Sequence, residues 1–146
     1  MTVEMRPFSY DDCRYIVCNL PPESAAEIAA TRGTDQVADK IASACEMYKH
    51  CAMIAYKDDE PVAIMGAIPQ HPGVYSAYML ATSRFPEVVW TVTKWARRVF
   101  FPALRAAGAH RVEALSIATY KKTHRWIEAI GAKQEQLVPR FGRNRE

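Results

Sequence analysis

The chain has 146 residues, 49% of them hydrophobic and 24% charged, with a net charge of +3. That is the length of one domain, 1–146, large enough to bury a core without disulfides or a structural metal. No run of 18 apolar residues is present, which excludes a membrane-spanning helix, and Glu4, Arg6, Asp11 and Asp12 stand where a secretion signal would be apolar, so an intracellular product is expected.

The elements follow in chain order. Residues 2–8 alternate as a short strand. Ser9 is an N-cap, and Asp11 and Asp12 in the first turn favour the helix dipole, so a helix over 9–19 is expected, stopped by Pro21-Pro22. A second helix is expected over 23–31, ending at Gly33. A third over 34–48 carries Ala38, Ile41, Ala42 and Cys45 on one face. Strands 51–56 and 61–68 flank Lys57-Asp58-Asp59-Glu60, a hairpin signal. A loop over 69–73 leads to a strand over 74–81. A long helix begins near Pro86, with Val88, Val92, Trp95, Val99 and Ala103 as its apolar stripe. Pro102 predicts a kink and Gly108 the end. A strand over 111–118, a helix over 120–130 capped by Gly131, and a last strand over 132–141 complete the order.

The alternation of strands and helices in the second half implies an α/β layer structure, and the central hairpin makes its sheet mixed. Cys13, Cys18, Cys45 and Cys51 have spacings of C-x4-C and C-x5-C, which are not zinc pairs, and no metal set is expected. Buried apolar thiols are the better reading of these cysteines than a Cys45, His50 and Cys51 ligand group. Charge is uneven: residues 1–89 hold 7 Lys/Arg against 12 Asp/Glu, and residues 90–146 hold 12 against 4. The basic half suits an anionic ligand or is simply a solvated face.

The element order, the hairpin Asp58-Asp59-Glu60-Pro61-Val62-Ala63-Ile64-Met65-Gly66, and Arg125-Trp126-Ile127-Glu128-Ala129-Ile130-Gly131-Ala132 resemble the GNAT acetyltransferase superfamily. A narrower resemblance lies in Met79-Leu80-Ala81-Thr82, Phe85, Arg125-Trp126-Ile127 and Glu27-Ile28-Ala29-Ala30. These look like the GNAT-like proteins of short-tailed phages, some linked to internal virion proteins and their packaging. The resemblance implies a mixed central sheet flanked by helices and acetyl-CoA-dependent N-acyl transfer to an amine. It also implies a phage product of the host cytoplasm or the virion. The alternative it leaves open is a non-catalytic protein of the same fold, acting in virion assembly or on a host factor.

In such a family the pyrophosphate of acetyl-CoA rests on backbone N–H groups at the start of the long helix, in a loop of pattern Q/R-x-x-G-x-G/A. Here the stretch is Ser83-Arg84-Phe85-Pro86-Glu87-Val88-Val89, with Glu87 and Val89 at the glycine positions and Pro86 lacking a donor. Thr82, Ser83 and Arg84 remain candidates for an anion through hydroxyls and guanidinium. Ser83 serves equally as a helix cap, and Arg84 as a surface residue. The resemblance assigns the pantetheine arm to the backbone of Met79, Leu80 and Ala81, and adds Thr119 and Lys122 as cofactor contacts. The tyrosine that commonly protonates the CoA sulfur is replaced by Ile127. Tyr120 and His124 on the same helix are the candidate acids, His124 having the better ordinary pKa. Glu113 is the candidate general base. Arg111, Lys121, Lys122 and Arg125 suit a 3′-phosphate or nucleic-acid phosphates. No nucleic-acid motif accompanies them, so nucleic acid is set aside as the main partner.

Overall fold

The computed structural model describes residues 2–32, 36–114 and 121–130. Five strands form one mixed sheet in the order β1-β2-β3-β4-β5: β1 (Val3–Pro7), β2 (Ala52–Lys57), β3 (Glu60–His71), β4 (Val74–Ala81) and β5 (Arg111–Glu113). The first four are antiparallel neighbours, and β5 runs parallel to β4. A parallel pair needs a crossover. It is supplied by a 3₁₀ turn (Phe85–Glu87), α4 (Val89–Trp95), a π-helical turn (Ala96–Phe100) and α5 (Phe101–Ala106). Before the hairpin lie α1 (Tyr10–Cys18), α2 (Pro22–Arg32) and α3 (Val37–Met47), and α6 (Lys121–Ala129) follows β5.

Local chemistry accounts for several of these boundaries. The Ser9 hydroxyl accepts from the Asp12 N–H at the start of α1, as its cap position predicts. Asp58 and Asp59 have φ of 50° and 66°. Two left-handed residues make the turn whose twist matches the flanking strands, and aspartate tolerates that region better than most residues. The hairpin is longer than expected, since β3 continues through Pro69 to His71. Ala52↔Gly66 is the last β2–β3 pair, so Pro69 lies where β3 pairs with β4 alone, and the register shifts beside it. A proline there removes no donor from a doubly paired strand.

The two faces of the sheet carry separate cores. Ile54 and Ile64, opposed in register and both fully buried, face α1 and α3 with Cys13, Ile16, Ile41 and Cys45. Full burial of each isoleucine contributes about 1.5–3 kcal/mol. The Tyr56 hydroxyl also donates to Asp12, which ties α1 to β2. Val62, Met65, Ala67 and Ala81 face the crossover helices with Val88, Val92, Ala96, Phe100 and Leu104. Along β4 the faces alternate with the pleat: Tyr75, Ala77 and Met79 go to the crossover side, Tyr78 and Leu80 to the α1–α3 side.

The crossover helix corrects one expectation. Val88 and Val92 are buried and Trp95 packs against the core as expected, but the stripe continues through Ala96, Phe100 and Leu104, while Val99 is 52% exposed and Ala103 exposed. An ideal α-helix turns 40° further at each fourth residue, so a strict every-fourth stripe would wander off the sheet. The π turn at Ala96–Phe100 takes more residues per turn and holds the stripe in line. It also stands just before Pro102, whose missing N–H and ring the sequence marks as a break.

Candidate functional site

β4 and β5 lie side by side, as the resemblance requires. Their pairing runs from Val74↔Arg111 to Ser76↔Glu113, and β4 continues to Ala81. Beyond Glu113, residues 115–120 are outside the described set. On its other side β4 pairs with β3 along its length, Met79 with Met65, Leu80 with Ile64 and Ala81 with Ala63. Ala77, Tyr78, Met79 and Leu80 are half-buried although they belong to an interior strand, and Ala81 is buried. The strand therefore keeps an accessible stretch just ahead of the helix that follows it.

The helix start is built differently. Thr82 is only 6% exposed, and its N–H donates to the Val62 carbonyl at 2.8 Å. Its hydroxyl accepts from the Arg84 N–H at 3.3 Å, and its carbonyl accepts from the Phe85 N–H at 3.1 Å. Both ends of Thr82 thus shape the turn. The Glu87 N–H donates to the Arg84 carbonyl and the Val88 N–H to the Phe85 carbonyl, each at 2.9 Å. With Pro86 lacking a donor, the N–H groups of Phe85, Glu87 and Val88 are engaged inside the loop. Ser83 is exposed in the turn.

Arg84 is held by two carboxylates. Its Nε and one terminal nitrogen donate to the two Glu87 carboxylate oxygens at 2.8 and 3.0 Å, a bidentate fork. The other terminal nitrogen meets Glu60 at 3.0 Å, from the first residue of β3. Hydrogen bonding to Glu87 and then to Glu60 raises the guanidinium pKa, and Arg84 holds the Glu87 carboxyl below its ordinary range. The three side chains together carry a formal charge of −1. A diphosphate at this helix start would meet that excess carboxylate and backbone donors already engaged.

Trp126 closes the same corner from α6. Its indole N–H donates to the Thr93 hydroxyl at 3.1 Å, which itself donates to the Val89 carbonyl at 2.7 Å. Its ring meets Phe85 edge-on, 5.7 Å between centroids. The sequence marks Trp126 as part of the Arg125-Trp126-Ile127 motif. Its packing against the helix start follows from the approach of α6 to α4, which periodicity cannot supply.

The remaining candidates divide. Glu113 is exposed and accepts from Arg111 at 3.0 Å, at the level of Ser76. That is about 16 Å along the sheet from Ala81. His124 and Lys122 belong to α6, but their side chains lie outside the described set, as do Thr119, Tyr120 and the strand expected over 132–141. Arg125 is exposed and Ile127 half-buried. On the opposite face, Cys13 and Cys45 are buried beside one another, and His50 is exposed. The neighbouring Cys45 thiol, then burial, push the Cys13 thiol far up, so it stays protonated and inert. The Tyr78 hydroxyl is buried against the Cys45 thiol, and burial, then that thiol, push its pKa well above that of a free tyrosine.

No protein-family model matches the sequence, and no curated protein is similar to it. Solved structures are similar in fold. An acetyltransferase of the GNAT family from Bacillus anthracis superposes with a TM-score of 0.68 at 13% identity, over 97% of this chain and 86% of that one. Ard1 from Thermoplasma volcanium gives 0.72 at 12% identity, over 99% and 91%. The aminoglycoside acetyltransferase AAC(6')-Iy, solved with a bisubstrate analogue of CoA and an acetylated neamine, gives 0.60 at 11% identity, over 94% and 96%. At these identities the likeness speaks for the fold, and with the strand order above it shows that the chain has the mixed-sheet GNAT acyltransferase fold.

Proposed function

We propose that this chain is a non-catalytic descendant of an acetyl-CoA-dependent N-acyltransferase, working as a binding protein on the GNAT scaffold. The observation that carries this reading is the helix start. Arg84 is neutralised by Glu87 and Glu60, and the N–H groups of Phe85, Glu87 and Val88 are donated within the loop. A pyrophosphate seat needs free N–H donors and net positive field. This loop offers few of the first and an excess carboxylate. The resemblance of Met79-Leu80-Ala81-Thr82 and Arg125-Trp126-Ile127 to phage GNAT-like proteins supports a phage product. Its partner would be a virion or host protein, met in the host cytoplasm or the virion.

Thermal unfolding with and without acetyl-CoA tests the proposal. The expected result is an unchanged Tm at millimolar cofactor. Stabilisation approaching about 2.7 kcal/mol, the value for a ligand at a hundredfold excess over its Kd, would overturn it.

A second reading is surviving acyl transfer to an amine, favoured by the accessible stretch Ala77–Leu80. In that reading the backbone of Met79, Leu80 and Ala81 lies along the pantetheine arm. Thr82, Ser83, Arg84, Thr119 and Lys122 complete the cofactor contacts. His124 or Tyr120 protonates the leaving sulfur, and Glu113 draws the amine proton, directly or through water. Acetylation of a polyamine or a lysine peptide that is lost in His124→Ala or Glu113→Gln would favour it over the first.

A further inference from the structure

The outward side of the crossover helix carries an arrangement that the acyltransferase fold does not call for. Val88, Val92, Ala96, Phe100 and Leu104 are buried at every fourth position, held in line by the π turn. Residues two positions after each of these point away from the sheet. The first three are Trp90, Lys94 and Arg98, with Arg97 beside them. Trp90 is 77% exposed. Tryptophan is ordinarily buried over most of its large surface. Lys94, Arg97 and Arg98 are exposed and make no ion pair among the described residues. From Val88 to Val112 the chain contains no Asp or Glu. A solvated face built for solubility would mix both signs, and this one is purely cationic with an open indole at its end.

We propose that this face binds single-stranded nucleic acid, a base stacking on Trp90 and consecutive phosphates meeting Lys94, Arg97 and Arg98. Three observations select this occupant. Trp90 and Lys94 stand one turn, about 6 Å, apart along α4, and Arg97 and Arg98 follow in the π turn, so a strand laid along the axis meets the indole and then the cations. Trp90 is the one aromatic on the ridge and stands among charges, with Val99 the other large apolar side chain exposed on the helix, which suits a stacking platform better than the apolar centre of a protein interface. The acidic starts of α1 and α3, with Asp11, Asp12 and Asp39, lie on the other face of the sheet, and Glu87, in the turn before α4, is paired with Arg84. The molecule is therefore polarised, and an anionic polymer is steered to the α4 side. Stacking on the indole and contacts to phosphates carry the binding, so recognition is tolerant of sequence.

The experiment is fluorescence anisotropy of a labelled oligothymidine with the full chain, at several salt concentrations. Binding is expected at low salt. With three phosphate contacts the affinity should fall with a log–log slope near −2, from about 0.7 per contact on a single strand. Trp90→Ala should weaken binding about tenfold, within the range for one lost base stack, while Trp90→Phe retains most of it. Lys94→Glu with Arg98→Glu should abolish it. All three substituted positions are exposed, so an unchanged Tm separates loss of binding from loss of fold. No binding at low salt would overturn the proposal. Equal affinity of Trp90→Ala would overturn it, as would competition by polyglutamate as strong as by unlabelled oligothymidine, which points to an acidic protein. Displacement by coenzyme A alone would do the same and would also count against the loss of the cofactor seat.

Discussion

Strand β4 and the loop that follows it are neighbours in the chain and differ in what they leave available. Ala77 to Leu80 stay half-buried, with described β5 pairing only up to Ser76. From Thr82 to Val88, the Thr82 hydroxyl, the N–H groups of Thr82, Arg84, Phe85, Glu87 and Val88 and the Arg84 guanidinium are taken up inside the loop or by Val62 and Glu60, and Ser83 stays exposed. The strand is accessible because it is a backbone ladder whose edge depends on where its neighbour ends. The loop is closed because its side chains are complementary to one another. On the proposed reading, the fold keeps the geometry of the strand while side chains in the loop occupy one another's charges and donors.

The largest expected effect bears on the strand. Gly66 lies opposite Tyr78, and a Cβ on it would stand 2.6 Å from the Tyr78 hydroxyl and 2.9 Å from the Cys51 carbonyl oxygen. Gly66→Ala should cost about 1–3 kcal/mol, read as a fall in the urea midpoint. Adding Tyr78→Ala should relieve the contact with the ring and leave that with Cys51. An unchanged midpoint in Gly66→Ala alone would show that β4 is looser than its register implies.

The loop is tested next. Glu87→Gly with Val89→Gly restores the glycines of the family pattern and removes the fork on Arg84. Coenzyme A affinity, followed by calorimetry, should rise at least about tenfold over the parent, or about 1.4 kcal/mol. If it does not, the engaged backbone and Pro86 close the seat, and charge is secondary.

A smaller effect concerns Tyr78, whose hydroxyl is buried beside the Cys45 thiol, a weak hydrogen-bonding group. Tyr78→Phe removes a polar group that burial penalises, so stability should stay level or rise by up to about 1 kcal/mol. A marked loss would mean that the hydroxyl has a partner in solution.

The smallest effect is the pH dependence of the Arg84 clamp. Glu87 is held below its ordinary pKa in the folded chain. Its contribution is thus present above the ordinary glutamate range and lost as pH falls through the folded value. Glu87→Gln should lower the Tm slightly at neutral pH, and the difference should vanish in acid. Both groups are open to solvent, so added salt should shrink it too.

Much of this was legible in the chain itself. The Asp58-Asp59 turn, the Ser9 cap, the apolar strand 74–81 and the loss of glycines at Glu87 and Val89 are local signals, each read within a few residues. They suffice for the mixed sheet and for doubt about the cofactor loop. Three features are not local. Pro69 lies within β3 instead of ending it, because β2, which begins at Ala52, pairs no further along β3 than Gly66. The helix buries Ala96, Phe100 and Leu104 because a π turn resets its register. Arg84 is neutralised in part by Glu60, 24 positions away in the chain, which the hairpin brings to the helix start. Periodicity and propensity describe what a segment prefers alone. Pairing partners, helix register against a sheet, and the charge a residue finally faces depend on neighbours distant in sequence, and only the folded chain brings those together.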